Sequence, residues 1–259
     1  MSMVTMSDGV RIAFSDAGEG DPCLLFVHGG MSCGRYWDPQ IEHFAARHRC
    51  VTIDQRGHGN SDKPDGPIPM SRFADDLAQI IAALGLDRPV VVAHSMGCAA
   101  AIEFAARHPD TACALVLNDP PSMEAPNLAR YQALIDRLEA GAGVADTLGA
   151  VIDAQGMLEP RGEERVRREM LALANTPGGV AAEVFRAMAT WDRQAAAQQL
   201  RLPVLHVAAA TPNCPTDQLA AAIPHVVTGQ TVGAGHFNAY EVPDQVNAMI
   251  EQFLRHYLD

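Results

Sequence analysis

The chain has 259 residues and a formal charge of -12, with 31 acidic against 19 basic residues and Lys63 as its one lysine. That length can remove roughly three quarters of the unfolded surface from water in a single core, while so acidic a balance argues against a surface that neutralises many phosphates, so no nucleic-acid partner is expected. No run approaches the roughly 18 apolar residues of a membrane span, and Met1 to Phe14 carries Asp8 and Arg11 with no apolar leader, so the expectation is a soluble, unsecreted, cytoplasmic protein with no membrane partner.

In chain order, Met3 to Met6 and Val10 to Phe14, joined through Ser7-Asp8-Gly9, predict an antiparallel hairpin at a sheet edge. Apolar runs at Cys23 to His28, Cys50 to Ile53, Val90 to Ala93, Cys113 to Leu117 and Pro203 to Val207 have the length of strands buried on both faces. Between them, helical periodicity covers Tyr36 to Arg47, Ser71 to Leu84, Met96 to Arg107 and Asp217 to Ile223, and Val242 to Tyr257 closes the chain. This alternation predicts an α/β fold with a mostly parallel, doubly wound sheet.

One stretch departs from it. From Ser122 to about Leu202 there is no strand pattern, only Ala-, Leu-, Glu- and Arg-rich helical segments punctuated by residues such as Gly141, Gly156, Pro160 and Pro177. The expected organisation is a core made of residues 1–121 and 203–259, with a helical cap of residues 122–202 inserted between the sixth and seventh strands. A cap there would stand over the strand C-termini, where open α/β sheets bind ligands. Met123, Met157, Met170, Met188 and Trp191 are candidates to line a pocket beneath it.

The six cysteines are scattered, and no C-x-x-C or clustered Cys/His spacing occurs. No structural metal, cofactor site or disulfide framework is expected, and reduced thiols fit the cytoplasm.

The chemistry concentrates at Val90-Val91-Val92-Ala93-His94-Ser95-Met96-Gly97, which reads as a strand, a sharp turn at a serine, and a helix. It fits G-x-S-x-G with Ala93 in place of the first glycine, where the turn requires only a small side chain. Ser95 would stand exposed on a strained corner as nucleophile, and the Met96 N–H, opening the helix, would supply half of an oxyanion hole. His94 reads as a structural neighbour.

With these residues in view, the chain resembles the α/β-hydrolase superfamily over nearly its whole length. Phe26-Val27-His28-Gly29-Gly30 is similar to the strand and HG segment whose loop gives the second oxyanion donor, implied here to be the Gly30 N–H. The stretch Asp54-Gln55-Arg56-Gly57-His58-Gly59-Asn60-Ser61 is similar to the fold-building D-x-R-G-x-G-x-S turn, which assigns Asp54 and Arg56 structural roles. Gly233-Ala234-Gly235-His236-Phe237 resembles the catalytic-histidine loop, making His236 the implied base. The acid departs from the common pattern. After Pro203 to Val207 the chain reads Ala208-Ala209-Ala210-Thr211-Pro212-Asn213-Cys214-Pro215, with no carboxylate before Asp217. Asp119, directly after the preceding strand, is the expected substitute, as in members of the superfamily such as zearalenone-type lactonases, and Asp217 is the alternative.

A serine at the elbow separates the chain from the superfamily's dehalogenases and epoxide hydrolases, which carry an aspartate there. Lys63 stands too far along the chain to act beside the histidine as in hydroxynitrile lyases. The resemblance therefore implies a cofactor-free, metal-free serine hydrolase acting on a small-molecule carboxylic ester or lactone through an acyl-enzyme. Two alternatives stay open: a cofactor-independent dioxygenase of the same fold acting on an aromatic substrate, and a non-turnover ligand receptor of this fold. Homo-oligomerisation also stays open.

Overall fold

The hairpin forms from β1 (Ser2–Thr5) and β2 (Arg11–Ala17), antiparallel and closed around Gly9 at φ +85°. The computed structural model describes residues 1–124, 128–158 and 163–258, so Pro160 lies outside the described residues. Five fully buried strands follow in the apolar runs: β3 (Leu24–Val27), β4 (Cys50–Ile53), β5 (Val90–His94), β6 (Ala114–Asn118) and β7 (Val204–Ala208). An eighth, β8 (Val227–Gln230), completes a sheet of order β1-β2-β4-β3-β5-β6-β7-β8, antiparallel where β2 meets β1 and β4 and parallel elsewhere. The sequence pattern misses β8 for a physical reason. As an edge strand it is half-buried at alternate residues, and Thr228, Gly229 and Gln230 offer no apolar run.

A 3₁₀ turn at Gly34–Trp37 leads into α1 (Asp38–Phe44); α2 (Met70–Ala83) and α3 (Met96–Arg107) follow β4 and β5. Between β6 and β7 lie α4 (Leu128–Glu139), α5 (Val144–Gln155), α6 (Glu163–Leu173), α7 (Gly178–Thr190) and α8 (Arg193–Gln198). The chain ends with α9 (Thr216–Ala222), α10 (Asn238–Glu241) and α11 (Pro243–Tyr257). Phe73, Leu77 and Ile80 of α2 and Ile102 and Phe104 of α3 pack one face of the sheet. Phe44 of α1 and Val246, Ile250 and Phe253 of α11 pack the other. Both faces are thus covered, which is why the central strands carry apolar residues without alternation. Helix α8 packs on α3, whereas α4, α5, α6 and α7 pack chiefly on one another above the strand C-termini. Among the described residues no helix is long and apolar enough to cross a membrane.

Candidate active site

Strand β5 ends at His94 and α3 begins at Met96, leaving Ser95 alone to turn the chain, at φ 51° and ψ -120°. Non-glycine residues rarely adopt such a conformation, and strain of this kind costs on the order of 1–3 kcal/mol. The flanking residues leave no room for larger ones. Ala93 is fully buried, and a Cβ on Gly97 would stand 2.5 Å from the His28 carbonyl oxygen, so glycine there lets α3 start close against β3. As the first helical residue, Met96 has no partner four residues back for its N–H. Gly30 lies beside it, where an added Cβ would be 3.7 Å from that of Met96. Gly30, Ser95, Met96 and His236 line one cavity of about 150 Å³.

The main chain of Gly235 and His236 is held by three hydrogen bonds. The His236 N–H donates to the Met157 carbonyl at 2.7 Å, the preceding Gly235 N–H donates to the Glu241 carboxylate at 3.0 Å, and the His94 Nε2–H donates to the His236 carbonyl at 2.9 Å. Only glycine fits at 235, because a Cβ would meet the Met157 carbonyl oxygen at 2.1 Å. The His94 ring lies 4.5 Å from that of His236 and stacks on Tyr36 at 4.4 Å. Burial holds the His94 pKa well below the ordinary histidine value, so it stays a neutral donor to the loop.

Asp119 follows β6 directly, at φ 42°, and is fully buried. Its N–H donates to the Val207 carbonyl at 2.9 Å, which ties it to β7. Its Oδ2 is 2.5 Å from His236 Nδ1. Asn213 completes the group: its main-chain N–H donates to Asp119 Oδ1 at 3.1 Å, and its amide nitrogen lies 3.1 Å from Oδ2 and 2.8 Å from His236 Nδ1. A carboxylate only accepts, so the consistent tautomer carries its proton on Nδ1, with that nitrogen and the Asn213 amide both donating to Oδ2. In the neutral form of that ring Nε2 is the acceptor, as a general base requires.

The structure thus brings Ser95, His236, Gly30 and Met96 to one cavity and Asp119 to His236. It does not bring Asp217 there: that residue is exposed in the first turn of α9 and accepts the adjacent Gln218 N–H. Asn213 escapes a sequence reading that seeks only a carboxylate among residues 208–215; an amide where many relatives carry their acid was the available signal. Among the cap candidates, Met157, Met170 and Met188 line the cavity with Tyr131, Val184 and Phe185. Met123 and Trp191 do not. Met123 is buried in the core, and the Trp191 indole N–H donates to Glu103 of α3 at 3.0 Å. Lys63 donates to the carbonyls of His58, Gly59 and Ser61 in its own loop.

The family model for the alpha/beta hydrolase fold matches residues 22–243. Among curated proteins, Epoxide hydrolase 1 of Caenorhabditis elegans is 36% identical over 115 residues, which are 43% of this chain and 28% of that protein. The chain spans less than half the length of the curated relatives it matches. Among solved structures, the enol-lactonase from Burkholderia xenovorans LB400 superposes with a TM-score of 0.89 at 20% identity, covering 98% of this chain and all of that one. A thermophilic esterase from Thermogutta terrifontis superposes at 0.85 with 26% identity, covering 98% of each chain.

Proposed function

The chain belongs to the alpha/beta hydrolase fold family, and from that premise we propose that it is a serine hydrolase that cleaves a carboxylic ester or lactone through an acyl-enzyme. One observation carries the reading: a serine strained onto a strand-to-helix corner shares a cavity with a histidine whose Nδ1 is 2.5 Å from a buried carboxylate. A triad is recognised by such geometry and roles.

Ser95 Oγ attacks the substrate carbonyl while His236 Nε2 takes its proton. Asp119 holds the Nδ1–H and stabilises the imidazolium as it forms. The N–H groups of Gly30 and Met96 face the charge that develops on the carbonyl oxygen. When the tetrahedral intermediate collapses, His236 returns the proton to the departing alkoxide oxygen, leaving Ser95 acylated. Water, deprotonated by the same nitrogen, then attacks the acyl carbon; as the bond from that carbon to Ser95 Oγ breaks, His236 returns the proton to Oγ and the acid is freed. The Epoxide hydrolase 1 likeness is less informative about chemistry, because epoxide hydrolases of this superfamily use an aspartate where this chain has Ser95. The enol-lactonase and esterase likenesses agree with an acyl substrate.

The cavity volume of about 150 Å³ is on the scale that holds a benzene ring, so short or small-ring acyl groups should be favoured. A panel of p-nitrophenyl esters of increasing chain length, run beside aliphatic and aromatic lactones, tests this. Hydrolysis should be fastest for the small acyl groups. No turnover of any ester or lactone, with oxygen uptake on an aromatic substrate, would replace the hydrolase with the cofactor-independent dioxygenase.

A further inference from the structure

Ser122, just past β6, and Met188, in the last turn of α7, line the same cavity, and one buried side chain holds the main chain of both. We propose that Arg193 is a positioning residue that fastens these two walls to each other and so limits how long an acyl group the cavity accepts. The inference deepens the serine-hydrolase reading of the same site, on which its substrate arm rests.

Arg193 opens α8 and is only 4% exposed. Its Nη1–H donates to the Ser122 carbonyl at 2.8 Å and its Nη2–H to the Met188 carbonyl at 2.5 Å. In the last turn of a helix such carbonyls lack a donor within the helix, and the negative end of the dipole favours a cation. The guanidinium carbon also lies 5.4 Å from the centre of the Trp191 ring, so two carbonyls and an indole face receive the charge. A buried cation held in this way is costly, and an apolar side chain would seal the corner without that cost. An apolar side chain could not join two carbonyls, however, whereas the planar fork of a guanidinium holds both at a fixed spacing.

The neighbouring bonds reinforce the clasp. The Gln194 amide donates to the Met123 carbonyl at 2.8 Å, and Oε1 of Gln218 in α9 accepts the Ser122 hydroxyl at 2.8 Å and the Met123 N–H at 2.6 Å. Helix α8 in turn packs on α3, the helix that begins directly after Ser95, so both walls are referred to the position of that serine. Helix α7, held through Met188, also brings Val184 and Phe185 to the cavity. While the clasp is closed the cavity keeps its volume of about 150 Å³. Released, the two walls can part, and the flexible Met188 side chain can repack around a longer chain.

The test compares wild type, Arg193→Gln and Arg193→Lys. The first removes the charge and one of the two bonds; the second keeps the charge and the stem but offers a point donor in place of the fork. Turnover of p-nitrophenyl acetate and hexanoate reports the substrate limit, and binding of benzene and butylbenzene, followed by NMR, reports the cavity without any chemistry. Wild type should bind benzene and not butylbenzene. Both variants should bind butylbenzene, and their hexanoate-to-acetate ratio of kcat/KM should rise at least about tenfold, the scale on which a pocket discriminates one methylene, mainly through a lower KM for hexanoate. Lower stability with the ratio and the binding limit unmoved would reduce Arg193 to a brace and overturn the proposal. Equal binding of both probes by wild type, or a lysine variant indistinguishable from wild type, would overturn it too. If Arg193→Gln does not fold, Arg193→Lys decides the matter. In wild type alone, the Arg193 guanidinium should show slow hydrogen exchange and hindered rotation by NMR, and fast exchange would contradict the clasp. If wild type hydrolyses no ester while the binding limit moves with position 193, the hydrolase reading fails and the clasp stands.

Discussion

Asp119 and Asp76 are both buried, and each lies 2.5 Å from a basic nitrogen, His236 Nδ1 in one case and Arg56 Nε in the other. Their settings differ in two respects. Arg56 forms a two-pronged pair with Asp76 of α2, and its Nη2, one of the two prongs, also lies 3.2 Å from Asp8. A guanidinium stays charged at any physiological pH, so that pair only holds the fold. An imidazole, unlike a guanidinium, can exchange a proton near neutral pH, and the His236 ring borders a cavity that also holds a strained serine. On the proposed mechanism, a buried carboxylate serves chemistry where its partner is an imidazole that borders open space, and serves architecture where its partner is a guanidinium enclosed in the fold. Burial raises the Asp76 pKa against the opposing pull of Arg56, which marks a pair costly to leave half-made.

This contrast is best broken by removing one member of each pair. Asp119→Asn should lower turnover of the best ester on the order of 10⁴-fold while the urea unfolding midpoint stays near wild type. Retained turnover would move the acid elsewhere. Arg56→Ala should do the reverse, costing about 3–5 kcal/mol of stability by leaving Asp76 buried without its cation. Turnover per folded molecule should hold, as checked by urea unfolding beside fluorophosphonate titration of active protein. A stable Arg56→Ala variant with lost turnover would erase the distinction.

The pH profile sharpens the same contrast with a smaller effect. On the proposed mechanism the base must be a neutral imidazole, so kcat/KM should fall about tenfold per pH unit on the acid limb, the slope of one proton. His94 lies close enough to matter, but burial lowers its pKa, so it takes up a proton only at lower pH than an ordinary histidine. A slope approaching two would make His94 a second titrating group.

The legibility of these regions in sequence follows their physics. Strands β3 to β7 announce themselves because each is apolar on both faces, whereas β8 is hidden by its exposed edge. Ser95 and His236 stand out through small residues packed around them: Gly97 against the His28 carbonyl and Gly235 against that of Met157. The positive φ of Asp119 leaves no mark in composition, and the partnership of Asp119 with Asn213 joins residues 94 positions apart. Helical periodicity likewise identifies the helices between β6 and β7 but is silent on Met157, which follows α5 and lines the cavity, and on Met123, which precedes α4 and is buried in the core.

The central claim is that Ser95 is an activated nucleophile. Wild type and Ser95→Ala, matched for folding by circular dichroism, can be incubated with a fluorophosphonate and the adduct located by peptide mass spectrometry. The account predicts a single adduct on Ser95 in wild type and none in the variant. Equal labelling of the two proteins, or a wild-type adduct on another residue, would contradict it.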